Sequence, residues 1–205
     1  MKIYKFITSP IQVNTYLAFD ETKKGFIVDP GGYSAGLTDT AKKEGVTVEY
    51  ILLTHGHGDH ICGVDAFLKD FPQAKVVAYE AEKDMMEDSR LNESYGICGK
   101  HMTVDVDIYV KDRQSLTVGD TELTFIHTPG HTKGGMCILA KGLVFSGDTL
   151  FRASIGRTDF YGGDFGEIMK SIKERLFALP DNTVVYPGHM SETTIGYEKE
   201  HNPFV

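Results

Sequence analysis

The stretch Thr54-His55-Gly56-His57-Gly58-Asp59-His60 limits what this chain can be more than any other segment. Four ligand-type side chains fall within six residues, spaced by glycines that let the backbone turn closely around a small object. Neutral imidazole and carboxylate are donors that zinc, manganese and iron accept. Packing three imidazoles together without a cation would cost desolvation and return nothing. A lone histidine is usually just a hydrogen-bonded core or surface residue; this cluster reads as a metal centre.

Three later segments repeat one grammar: an apolar β-type run, then a turn with glycine, then a ligand-type residue. They are Phe125-Ile126-His127-Thr128-Pro129-Gly130-His131, Val144-Phe145-Ser146-Gly147-Asp148 and Val184-Val185-Tyr186-Pro187-Gly188-His189. The pattern puts His131, Asp148 and His189 at strand ends on one edge of a sheet. Among the remaining histidines, His127 is expected to be a buried hydrogen-bonded ring, His101 a solvated loop residue and His201 structural. Tyr33 and Tyr161, both in loops, are expected to be packed rather than functional.

Around these segments, strands at 2–8, 15–19, 25–28, 50–54 and 75–79 alternate with helices at 35–44, 59–69 and 80–88. Residues 91–107 form a poorly patterned insertion. Two β regions follow at 115–127 and 136–145, then a loop at 158–163 and an amphipathic helix at 165–178 with Ile168, Ile172, Leu176 and Phe177 inward. A strand at 183–186 and a helix at 192–199 close the chain. Several strands succeed one another without helices, so the class is α/β but not a simple doubly wound sheet. No internal repeat or linker interrupts it, and residues 1–205 read as a single domain.

Charge narrows the partners. Lys and Arg number 21 against 29 Asp and Glu, a net −8, which argues against sequence-independent nucleic-acid binding and against anionic membranes. No run of apolar residues is long enough to span a bilayer, and the N-terminus lacks a signal-peptide core. Cys62, Cys98 and Cys137 lack a C-x-x-C spacing and read as reduced, buried small hydrophobes, with the cytoplasm as the expected compartment.

With these residues in view, the chain resembles the metallo-β-lactamase fold superfamily, whose H-x-H-x-D-H signature appears here as residues 55–60, followed in order by His131, Asp148 and His189. The resemblance implies a four-layer αβ/βα sandwich with two mixed β-sheets, outer helices and a binuclear site at one sheet edge. It assigns His55, His57 and His131 to a first metal and Asp59, His60 and His189 to a second, with Asp148 bridging. Two divalent ions are implied, zinc foremost, with iron or manganese also suited to these donors. Such an ion lowers the pKa of bound water from 15.7 toward ~7–9, making hydroxide available at neutral pH to attack a carbonyl carbon. Asp59 is expected both to ligate and to orient that nucleophile and manage its proton. Asp29 stands where the family places an acidic group behind a ligand imidazole, although Asp-Pro-Gly is also a turn former.

Within the superfamily, His127-Thr-Pro-Gly-His131-Thr, Ser146-Gly-Asp148-Thr-Leu-Phe151 and Ile155-Gly-Arg157-Thr-Asp-Phe160 resemble the hydroxyacylglutathione hydrolase (glyoxalase II)-like branch, in a short form. Sixteen residues follow His189, leaving no room for the helical domain that full-length members use to bind glutathione. The implied reaction is hydrolysis of a hydroxyacyl thioester such as S-lactoylglutathione, a small-molecule substrate. Asp148 stands where the best-known lactamases of this fold carry Cys, which argues against a lactamase. Arg157 resembles a basic position near the substrate carboxylate; an ion pair with Asp159 or Asp164 is the competing role. The Gly156–Phe160 segment also resembles persulfide dioxygenases, which hold a single iron by two His and one Asp; the matching residues are His55, His131 and Asp148. A non-catalytic metal-binding module is the third reading.

Overall fold

Adjacent residues of single strands serve different cores, and this organises the molecule, which the computed structural model describes over residues 1–205. In the strand Lys24–Val28, Ile27 enters one apolar cluster while Phe26 and Val28 enter another. Strands buried on both faces read as continuous apolar runs.

The first sheet has the order β1 (Lys2–Thr8), β2 (Val13–Phe19), β3 (Lys24–Val28), β4 (Thr47–Leu52), β5 (Lys75–Tyr79), β6 (Ile108–Val110). Its first three strands pair antiparallel and the last four parallel. The second sheet is built from β7 (Ser115–Val118), β8 (Thr121–His127), β9 (Met136–Ala140), β10 (Leu143–Gly147), β13 (Val184–Pro187) and β14 (Thr193–Thr194). There β10 and β13 run parallel and every other pair antiparallel. A small hairpin, β11 (Leu150–Phe151) with β12 (Ser154–Ile155), stands apart.

Tyr16, Phe26, Leu52, Phe125 and Phe145 fill the space between the sheets. The outer face of the first sheet is covered by α1 (Ala35–Glu44) and α3 (Val64–Asp70) through Leu37, Ala41, Val64 and Phe67. The outer face of the second is covered by α6 (Phe165–Lys170) and the π-helical turn Ser171–Leu176, through Ile168, Ile172 and Leu176, and by Ile195 of α7 (Ile195–His201). The result is the four-layer αβ/βα sandwich with two mixed sheets. No helix is long and apolar enough to cross a membrane.

Several expectations need correction. The helix read at 59–69 is broken into α2 (Gly58–Ile61) and α3, because the Gly63 N–H turns away to the Pro30 carbonyl at 2.7 Å. The helix at 80–88 is a 3₁₀ turn, Glu80–Glu82, followed by α4 (Lys83–Glu87). The insertion contains α5 (Ser94–Cys98) and is followed by β6, neither of which the patterning revealed. Cys62 and Cys98 form a disulfide that ties the end of α2 to the end of α5. Only Cys137 remains a free buried thiol, so the expectation of three reduced cysteines fails, and with it the cysteine-based argument for a cytoplasmic setting.

Candidate metal centre

The carboxyl ends of four strands converge at one edge of the sandwich. His55 follows β4, His131 follows β8, Asp148 directly follows β10 and His189 follows β13. His57 precedes α2, while Asp59 and His60 lie within it. The break after α2 leaves these two on a separate short turn, held against the strand ends.

All seven predicted ligands come together. One donor atom each from His55, His57 and His131 lies within 4.8 Å of the others, and the same holds for Asp59, His60 and His189. Asp148 reaches both groups: Oδ2 is 3.6 Å from His131 Nε2 and 3.6 Å from His189 Nε2, and Oδ1 is 3.3 Å from His60 Nε2. Six of the seven are buried, and His189 is partly exposed at the opening.

The proton arrangement tests whether a cation fits. His131 Nδ1 lies 2.7 Å from the Arg157 carbonyl, which only accepts, so the ring proton sits on Nδ1 and Nε2 is a bare lone pair. Thr54 donates its hydroxyl to Asp29 Oδ2 at 2.7 Å, so its oxygen accepts from His55 Nδ1 at 3.1 Å. His55 Nε2 is therefore also bare, and it faces His131 Nε2 at 3.2 Å. His57 Nδ1 also lies 2.9 Å from His131 Nε2, so three ring nitrogens share at most one proton and His55 Nε2 has no donor; a cation among them would satisfy all three. His57 Nε2, both nitrogens of His60 and Asp148 Oδ1 are buried without a hydrogen-bond partner. The donor set fits metal ions.

Electrostatics agree with a ligand role at His55 and His57. Burial and the neighbouring imidazoles hold His55 far below its ordinary range and His57 down to about 3, so both rings are neutral, the form that ligates. Burial also disfavours charge on His60, but the carboxylates of Asp59, Asp148 and Asp29 outweigh it and raise that ring. For Asp148, burial raises the carboxyl, yet His60, then His131 and His189, pull it below the usual carboxylate range.

Asp29 stands behind the centre. Its Oδ1 accepts the Thr54 N–H at 2.8 Å, it braces His55 through the Thr54 hydroxyl, and its Oδ2 lies 3.0 Å from His60 Nδ1, off the line of a hydrogen bond. It also forms the turn, with a left-handed backbone at φ 48°. Arg157 lies at the cleft mouth but pairs in bidentate fashion with Asp159, at 2.6 and 2.7 Å, and stacks over Phe160. Asp164 instead caps α6. His127 is only half-buried, stacked on Tyr79 and bonded to the Lys133 carbonyl, which corrects the fully buried reading. His101 is exposed, as expected.

Two supporting residues escaped the sequence reading. Asn14 of β2 donates to the carbonyls of Pro187 and Met190, both at 2.9 Å, and so fixes the loop that carries His189. Glu82, 1% exposed, accepts the Gly56 N–H at 2.9 Å and the Thr132 hydroxyl at 3.1 Å. It thus joins the loop of His55 and His57 to the loop of His131. In sequence it looked like one more surface charge on a helix.

Burial pushes the Glu82 carboxyl from 4.5 up to about 7. Between those values the folded chain retains a proton that the unfolded chain has lost, so stability falls as pH rises, by up to about 1.4 kcal/mol per pH unit. The Glu82→Gln variant is expected to lack this part of the slope. Urea unfolding of both metal-free proteins between pH 4.5 and pH 7 checks it; identical slopes would show that Glu82 does not titrate there.

The centre opens into a cleft of about 320 Å³ walled by Ile11, Ile97, Phe151, Ile155, Phe160 and Met190. A larger depression of about 430 Å³ lies at the opposite end of β10, around Lys141 and Gly142, far from any ligand-type cluster.

Residues 8–189 match the Metallo-beta-lactamase superfamily, and the chain belongs to that family. It is 36% identical to the probable metallo-hydrolase YqgX of Bacillus subtilis, over 100% of this chain and 98% of that one. Hydroxyacylglutathione hydrolase GloC of Haemophilus influenzae shares 32%, with the same coverages, 100% and 98%. Among solved structures, BLEG-1 B3 metallo-beta-lactamase superposes with a TM-score of 0.92 at 39% identity, covering 99% of both chains. TTHA1623 in a di-iron-bound form gives 0.86 at 30%, covering 98% of this chain and 100% of the other.

Proposed function

We propose that residues 1–205 act as a single-domain, metal-dependent thioesterase that hydrolyses a hydroxyacyl thioester such as S-lactoylglutathione. One observation carries this reading: two trios of donors, each within 4.8 Å, share Asp148 at the floor of an open cleft. His55, His57 and His131 would hold one divalent ion and Asp59, His60 and His189 the other, with Asp148 touching both. Ions held there would supply Lewis acidity toward the thioester carbonyl and would lower the pKa of water at the site. No serine or cysteine nucleophile is then needed. The protein orients the ligand rings through Thr54, Asp29 and the Arg157 carbonyl, and Asp59 faces the cleft as the group that takes the proton. The cleft volume suits a small molecule. The GloC similarity supports the thioester, the di-iron state of TTHA1623 supports a binuclear centre, and the donor chemistry suits zinc, iron or manganese.

The likeness to BLEG-1 favours a second reading, a lactamase, which the Asp148 argument alone does not remove. A mononuclear iron dioxygenase is the third. Elemental analysis coupled to turnover separates them. We expect two ions per chain, hydrolysis of an S-lactoyl thioester, assayed with the esters of glutathione and of an uncharged thiol, and loss of that activity on chelation. Hydrolysis of a β-lactam without the thioester, or one iron per chain with oxygen uptake on a persulfide, would overturn the proposal.

A further inference from the structure

The rim of the cleft differs sharply from its floor. Of thirteen lining residues, the only Lys or Arg is Arg157, whose Nε and Nη2 bond Asp159, which offsets its charge, while its face covers Phe160. The outer wall is aliphatic. Ile11 and Met190 stand at the mouth 50% and 56% exposed, although each is large and apolar. Their backbone is constrained: Met190 holds φ 67° and Gln12, next to Ile11, holds φ 62°. Non-glycine residues in this region are strained, and such strain persists only where surrounding structure enforces it. At Met190 Asn14 enforces it, through its bond to that residue's carbonyl. The fold thus displays an exposed apolar pair, Ile11 and the braced Met190, beside the metal-ligand residues.

Resting on the thioesterase reading, we propose that this mouth receives the thiol arm of the substrate and that the arm is uncharged, an aliphatic or amide-bearing thiol rather than glutathione. A glutathionyl arm carries two carboxylates and one ammonium. It would have to shed water against Ile11, Ile97 and Met190 with one lining cation, Arg157, already neutralised by Asp159, for its two carboxylates, on a chain of net charge −8. A neutral arm of similar length buries apolar surface there and leaves no charge unpaired. The acyl carbonyl still lies over the metal ligands, so the chemistry is unchanged and only the leaving thiol is specified.

Thioethers, which cannot be hydrolysed, test the mouth without the reaction. Calorimetry on zinc-loaded protein should show S-butyl-N-acetylcysteamine binding about tenfold more tightly than S-butylglutathione, and Ile11→Arg should reduce that ratio to about threefold or reverse it. Met190→Lys, at the other half of the pair, provides an independent repeat should the first variant fold poorly. Equal or tighter binding of S-butylglutathione, no binding of either compound, or a ratio unmoved by both substitutions would overturn the inference. Turnover of the S-lactoyl esters of the same two thiols reads the underlying function separately. Selective thioether binding without hydrolysis of either ester would leave the apolar mouth standing and remove the thioesterase reading.

Discussion

Asp59→Asn is expected to lower turnover of the thioester by about 10²–10⁴-fold while removing far less of the bound metal. The asymmetry follows from how the carboxylate is placed. Its Oδ2 lies 3.2 Å from His189 Nε2 and 3.4 Å from His60 Nε2, while no hydrogen bond occupies Oδ1. Burial pushes this carboxyl up, but His60 and His189 outweigh burial and keep it ionised, able to accept a proton at the cleft surface. Asparagine preserves the volume and one oxygen donor, and six other ligand side chains remain, yet an amide cannot take the proton. Parallel measurement of kcat and of metal per chain decides the matter. Proportional losses would reduce Asp59 to a ligand and nothing more.

Gly188→Ala should damage the centre without touching a ligand. A Cβ at this position would collide with Asp148 Oδ1 and lie 2.7 Å from His60 Cε1. Neither neighbour can retreat, since both side chains are enclosed and Gly188 itself is held by its N–H to the Gly147 carbonyl at 2.8 Å. We expect a loss of about 1–3 kcal/mol in stability from overpacking, and a fall in metal affinity of about 10–100-fold from displaced ligands. Gly36→Ala is the control: it lies in α1, its nearest neighbour would be 3.8 Å away, and the substitution should leave metal binding unchanged. Undiminished zinc affinity in Gly188→Ala, measured by competition with a chelator, would contradict the crowding argument.

Much of this centre was legible because metal ligation demands particular residue types at particular chain positions. His131, Asp148 and His189 each follow an apolar run and a glycine, and each does end a strand at the same edge. The sandwich was legible for a related reason, since strands buried on both faces leave continuous apolar runs. What stayed hidden depends on partners distant in sequence. The helix breaks after Ile61 because the Gly63 amide finds Pro30, thirty-odd residues earlier, and no local signal records that. Cys62 and Cys98 are 36 residues apart and meet only because α5 folds back over α2. Glu82 resembles Glu80 in any local window; only the donors from Gly56 and Thr132 that meet it make it an interior residue.

The donors have divided ownership. His55, His57, Asp59 and His60 follow the fourth strand of the N-terminal sheet, whereas His131, Asp148 and His189 belong to the C-terminal sheet. Each trio mixes the two sources, so neither half of the chain can assemble a complete cage before the other has closed upon it. An ion bound to either trio would therefore act as a rivet through both leaves of the sandwich, tying metal affinity to the docking of one leaf on the other.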